Sequence, residues 1–215
     1  MNAENVPRAY RSTLRAQQAR ETRERVIRAA GVVFSRQGFQ ATTMPAIARE
    51  AEVSTETVKA TASKADLLIA AFETMFAGAA GEESLADTPA GATITDLDAE
   101  DFVDAVVNAI ALANAHGHAL WTVLLGAALS DPAVDQALQG ILANRRADYA
   151  RLVSELETRG AAFADPARAA AELSFLLSPE GYQQLVVQSG WSHADYVAWL
   201  RAGVARIGAG DRPGR

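Results

Sequence analysis

The 215-residue chain contains no cysteine. That excludes a disulfide framework, a thiolate metal site and a cysteine nucleophile, and it suits a reducing compartment. Long apolar runs are missing as well. Nothing approaches the ~20 residues of a membrane span, and the opening MNAENVPRAYRSTLRAQQARETRERV lacks the apolar centre of a signal peptide. The expectation is a cytoplasmic protein with no membrane partner. Histidine is scarce: His116 and His118 flank Gly117 at a two-residue spacing that turns them apart on a helix, and His193 follows a helix-capping serine. With no third ligand at hand, no metal is expected. Phosphate-binding Gly loops, nucleophile elbows and zinc-helix motifs are absent. The acidic pairs Glu82-Glu83 and Glu100-Asp101 fall in a linker and at a helix start, where compensation of the helix dipole accounts for them. Neither an enzyme nor a cofactor is expected.

Lysine is the last scarcity, and its placement is informative. Lys59 and Lys64 are the only two, and both lie in VSTETVKATASKADLL, residues 53–68. Charge as a whole is uneven. The net charge of −6 hides eleven basic against six acidic residues up to Lys64, and nine against twenty beyond it. A basic first third on an acidic remainder points to a nucleic-acid-binding head on a solvated body, with chance clustering of arginines as the plainer reading.

Apolar spacing supplies the architecture. From Arg20 to Gln37, Val26, Ile27, Ala30, Val33 and Phe34 recur at three-and-four intervals, and Gly38 serves as C-cap. Thr43 caps a helix of about two turns with Pro45 in its first turn and Ile47, Ala48 and Ala51 inward; Ser54 caps a second short helix in which Val58 faces inward. A chain break near Ser63 precedes a longer stripe of Leu67, Leu68, Ala71, Phe72, Met75 and Phe76. Two short helices joined by a tight turn, between longer ones, form a helix-turn-helix whose second helix enters the major groove. Residues 78–98 read as a linker. Beyond it come a stripe through Phe102, Val106 and Ile110, a break at Gly117, a stripe through Trp121 and Leu125, Asp-Pro starts at Asp131 and Asp165, an interruption at Pro179, and a last helix capped by Ser192. No segment alternates at period two, so the fold class is all-α. The organisation expected is a flexible basic arm over 1–19 bearing Arg8, Arg11 and Arg15, a three-helix helix-turn-helix head over 20–66, and a larger helical body over 67–215 ending in a frayed GAGDRPGR tail.

The stretch RERVIRAAGVVFSRQGFQATTMPAIAREAEVSTETV resembles the DNA-binding region of the tetracycline-repressor (TetR) family of bacterial transcriptional regulators. The likeness rests on Phe34, Gly38 and Phe39, the paired Thr42 and Thr43, Ile47-Ala48 and the Val53-Ser54 turn. More weakly, LLSPEGYQQLVVQSGWSHADYVAWL resembles the C-terminal segment of one actinobacterial-type group, with its Ser-Pro-Glu, Gly-Trp and Tyr-x-x-Trp steps. The resemblance implies a homodimer on a palindromic DNA operator, and a body that holds a small-molecule effector and a dimer-forming helix pair. It also exposes a departure. Family members usually end the recognition helix with a tyrosine, any residue, a histidine or tyrosine, and a phenylalanine. Here Lys59, Ala60, Thr61 and Ala62 stand there, and the step to Ser63-Lys64 is one residue shorter.

Candidate roles follow. In the first turn after Ser54, Thr55 suits a thymine methyl and Glu56 suits cytosine N4, while a helix-dipole glutamate is the plainer account of Glu56. Thr43, Thr57, Lys59, Thr61 and Lys64 suit phosphate contact. Phe102, Val106, Trp121, Leu125, Tyr149, Phe175 and Leu176 are the candidates for lining an apolar effector pocket, with core packing as the commoner fate of such stripes. The expected function is a dimeric repressor released by a small apolar effector. The alternative is a dimeric ligand-binding or protein-interaction module that has lost specific DNA binding along with the aromatic anchors.

Overall fold

In the computed structural model the described residues are 8–77, 94 and 97–209, and no strand occurs among them. Nine helices are described: α1 (Arg8–Ala41), α2 (Met44–Ala51), α3 (Thr55–Thr61), α4 (Lys64–Ala77), α5 (Ala99–Ala128), α6 (Pro132–Thr158), α7 (Pro166–Leu176), α8 (Pro179–Tyr182, continued by a wide π turn over Gln183–Gln188) and α9 (His193–Gly208). Most of the proposed linker, the side chains of Arg8 and Arg11, and the end of the tail lie outside the described residues.

The local signals act as their chemistry requires. Thr43 accepts from the Ala46 amide, Ser54 from Thr57, Asp131 from Ala133 and Val134, Asp165 from Arg168, and Ser192 from Asp195. Each supplies an acceptor to an amide that a helix leaves unpaired at its start. Two expectations change. The first helix begins at Arg8 rather than Arg20, because Leu14, Arg15, Ala16, Gln17 and Gln18 are strong helix formers and Gln17 donates to Glu21 one turn on. Gly117 does not break α5. A Cβ there would lie 2.6 Å from Cδ2 of Phe76, so the glycine admits the α4 ring against the helix. Gly38, by contrast, does interrupt α1, with φ 76° and ψ 177°. Its carbonyl accepts from Thr42 Oγ1 at 2.7 Å.

Two apolar cores result. The first joins α1 to α4 with the end of α5 and the start of α6: Val26, Phe34, Ile47, Val58, Leu67, Leu68, Trp121, Leu124 and Val134 are all buried in it. The second joins the start of α5 and the end of α6 to α7 and α9, around Phe102, Val107, Val153, Leu173, Leu177, Tyr196 and Leu200. The long helices α5 and α6, linked by a tight turn in which the Ser130 and Asp131 amides both donate to the Ala127 carbonyl, run through both. Burial therefore continues past residue 66 into Leu67, Leu68, Ala71 and Phe72, tying α4 to the head.

Candidate nucleic-acid interface

The candidate recognition element is α3, and its orientation follows from one residue. Val58 is fully buried among the apolar side chains of the first core, which turns Glu56, Lys59 and Ala60 to solvent. The turn before it is tight. Glu52 adopts φ 54°, ψ 45°, and the Val53 amide returns to the Ala48 carbonyl at 3.0 Å. From the other side, Arg25 Nε on α1 donates to the Ala51 carbonyl at 3.1 Å and Arg36 pairs with Glu50 at 3.2 Å. The tie from Arg25 satisfies a carbonyl at the end of α2, a role that no sequence pattern marks.

The eight candidate residues divide by what their hydrogen-bonding groups already do. Ser54 Oγ accepts from the Thr57 amide and lies 2.9 Å from Thr57 Oγ1, so these two hydroxyls hold each other. Thr61 donates its hydroxyl to the Thr57 carbonyl at 2.9 Å. Thr43 only accepts, from Ala46, which leaves its O–H for another partner. Thr55, half-buried, and Glu56 occupy the first turn of α3, and the exposed Lys59 occupies its last. Lys64 is turned inward instead. Its Nζ donates to the Gln40 carbonyl at 3.4 Å and lies 4.6 Å from the centre of the Phe39 ring. Burial pulls this ammonium below its ordinary pKa, with Asp131 acting in the opposite sense. Two of its three N–H donors remain.

Phe39 stacks on Phe34 at 5.9 Å, and its ring also holds the Lys64 ammonium. Ser63 caps α4, accepting from the Asp66 amide at 3.1 Å and donating to Asp66 Oδ2 at 2.7 Å. The α3–α4 joint is thus held by a cap and by a ring from α1. Gln40 Nε2 also reaches Ser130 Oγ at 2.9 Å, linking the end of α1 to the α5–α6 turn.

In the body the proposed pocket residues separate. Trp121 lies in the first core, 5.6 Å from the Phe72 ring, and Leu125 packs at its edge. Phe102 is buried in the second core with the Arg159 guanidinium 4.0 Å from its ring centre; Val106, Tyr149 and Leu176 pack around that core, Leu176 so close to Gly203 that a Cβ there would meet it at 2.6 Å. Phe175 is 81% exposed on α7, away from both cores. Sequence reasoning missed the polar groups between these rings. Asn114, fully buried, donates to the Leu177 and Ser178 carbonyls and to Tyr196 Oη at 3.0 Å, and Arg145 donates to Ser174. His118 spends Nδ1 on Gln183 at 2.6 Å, and no metal-holding group of side chains occurs among the described residues. The C-terminal motif is one aromatic chain: Tyr182 meets Tyr196 edge-on at 5.1 Å, Tyr196 stacks on Trp199, and Trp199 meets Trp191.

A family model described as "Bacterial regulatory proteins, tetR family" matches residues 26–71, the stretch from the buried face of α1 through α4. Over that stretch the chain is similar to the DNA-binding region of the tetR family. Members of that family are transcription regulators rather than enzymes, and the matched residues form the helix-turn-helix head. No curated protein matches the chain. Among solved structures it is similar to a protein of Saccharomonospora viridis described as a transcriptional regulator in complex with choline (20% identity over 86% of this chain and 96% of that one, TM-score 0.68). It is also similar to a TetR-family protein of Mesorhizobium loti (19%, 88% and 96%, TM-score 0.65) and to the fatty acid degradation regulator FadR of Bacillus halodurans (20%, 90% and 97%, TM-score 0.59). At these identities the likeness is one of fold. No described helix is long and apolar enough to cross a membrane.

Proposed function

We propose that this chain is a cytoplasmic, dimeric tetR-family repressor that binds a palindromic operator through α3 and is released by a small, mainly apolar effector held in the body. The head is residues 20–66, preceded by a basic segment, and the body is residues 67–215. The observation that carries the reading is the outward face of α3. It holds Thr55 and Glu56 in the first turn and Lys59 one turn on, while Ser54 and Thr57 are committed to holding the helix start. Thr55 and Glu56 read base edges; Lys59, the free hydroxyl of Thr43 and the remaining donors of Lys64 meet phosphates. Thr57 and Thr61 act by fixing the helix. Phe175 serves the dimer, because a phenylalanine exposed on α7 is covered at little cost by a second copy.

Choline, bound by the Saccharomonospora viridis neighbour, does not carry over easily. Arg145 already lies 5.8 Å and 5.9 Å from the ring centres of Trp121 and Tyr149, so a second cation there would meet like charge.

Selection of bound sequences from random DNA tests the reading: an enriched palindrome bound by a dimer is expected, and no enrichment would sink it. Lys59→Ala should then weaken binding across all sequences and reduce the salt slope by about one. Loss of selectivity at one base pair with an unchanged slope would show Lys59 reading a base instead.

A further inference from the structure

Where α5, α6 and α7 meet, three hydrogen-bond donors are incompletely used. Trp121 is 3% exposed, and its Nε1–H has no acceptor among the described residues. Arg145, whose side chain is 18% exposed, donates from Nε to Ser174 Oγ at 3.0 Å and from Nη2 to the Ser174 carbonyl. Its Nη1 stops 4.0 Å from the Glu180 carboxylate, beyond hydrogen-bond reach. Tyr149 Oη reaches the Leu177 carbonyl only at 3.5 Å. The guanidinium lies near both rings, so the three groups belong to one neighbourhood.

A buried donor without an acceptor is costly, and a half-buried cation with a stretched counter-ion favours an approaching anion. On Trp121, Arg145 and Tyr149 the unfinished groups are all donors, with Asn114 Oδ1 the one unpaired buried acceptor near them among the described residues, and the cation–π position on both rings is already occupied from within the chain. We infer that the effector is a small apolar carboxylate whose oxygens accept from Arg145 Nη1 and Trp121 Nε1. Its apolar part lies toward Phe72 and Phe76, which stack at 5.2 Å on α4 beside Trp121. This inference rests on the regulator reading above and names the chemistry of its effector. Because α4 begins at Lys64, beside the end of α3, a carboxylate seated on Trp121 touches the helix that carries the head.

The test uses the full-length protein labelled with nitrogen-15 and follows the indole N–H resonances, with Trp121 assigned by their loss in Trp121→Phe. The probes are butyrate, hexanoate, octanoate and phenylacetate, with octanol and octyltrimethylammonium as the neutral and cationic counterparts. At least one carboxylate should move the Trp121 resonance saturably and raise Tm, and the counterparts should not. Trp121→Phe, which keeps an aromatic ring but removes the donor and part of the ring volume, should bind that carboxylate at least about tenfold more weakly, the scale of one hydrogen bond to a charged group. Arg145→Lys, which keeps the charge but not the fork, should weaken it as well. The inference is overturned if no carboxylate moves the resonance, if the cation moves it as readily, or if Trp121→Phe binds like the parent. Should a variant fail to fold, the titration of the parent against the three probe classes still decides. Operator selection with the parent, run without probes, separates the two readings: carboxylate binding with no operator sinks the regulator and leaves the site, and an operator with no carboxylate binding does the reverse.

Discussion

Around Phe34 the core is made of side chains with nothing to satisfy: Val26, Ala30, Val33, Ile47, Val58, Leu67 and Leu68 close on one another, and the polar work is done at the edges by helix caps and by Arg25. Around Tyr196 the core carries polar groups inside it. Asn114 and Ser178 are buried there, and the carbonyls of Leu177 and Ser178 after the end of α7 both accept from an amide on α5. The first arrangement is held by shape and tolerates only side chains that fit. The second is held in addition by a few donors placed across long sequence separations.

The largest effect should come from the apolar core. Phe34→Ala removes a fully buried ring and should cost about 4 kcal/mol in urea denaturation. It also tests whether the cores are separate. Since α5 and α6 run through both, a single transition displaced to lower urea is expected, and two transitions would show that the head melts alone. Next, Asn114→Ala removes the α5 amide shared by the Leu177 and Ser178 carbonyls and Tyr196 Oη, leaves the carbonyls only Tyr149 Oη and the Gly181 amide, and should cost about 2 kcal/mol. A loss below about 1 kcal/mol would mean that the network contributes geometry rather than stability.

A smaller, pH-dependent difference should separate the cores again. Burial raises the pKa of Tyr149 well above its ordinary value of 10.0, with Arg145 opposing, and burial raises that of Tyr196, with the Asn114 hydrogen bond opposing. For both, the fold favours the neutral phenol. The stability they lend is intact below pH 10 and is lost as pH climbs from there toward the folded values, each group adding at most about 1.4 kcal/mol per pH unit. Tyr149→Phe should flatten that decline in alkaline denaturation, and an unchanged slope would remove Tyr149 from the account.

The same contrast explains how far the chain could be read in advance. Helix existence, caps and the inward residues of the head were legible because each is a local pattern: Thr43, Ser54, Asp131, Asp165 and Ser192 all cap, and Val58 is buried. Gly117 misled, since a glycine that admits a ring from another helix looks the same in sequence as one that ends a helix. The pocket candidates are apolar residues, ringed and aliphatic, on helical stripes. That criterion cannot tell Trp121, Phe102 and Phe175 apart, although they lie in one core, in the other and on the surface. Arg145 and Asn114 were invisible because their partners are 29 and 63 residues away. Lys64 was assigned to phosphate by its charge, and the ring of Phe39 that draws it inward is visible only in three dimensions.

The smallest expected effect is a gain, and it lies in the turn that aims α3. Glu52 is exposed and holds a left-handed conformation, φ 54°, that costs an ordinary L-residue about 1 kcal/mol. Its amide makes the capping bond to the end of α2, which glycine would keep. Glu52→Gly should therefore raise head stability by up to about 1 kcal/mol, reduced by the greater freedom of glycine in the unfolded chain. Removing a carboxylate next to α3 should at the same time favour DNA. Glu52→Gln separates the two contributions, because it keeps the strain and loses the charge. A rise in Tm confined to glycine, with tighter DNA binding shared by both variants, is the expected pattern. Equal Tm for both would place the strain outside the turn and leave charge as the only penalty Glu52 imposes.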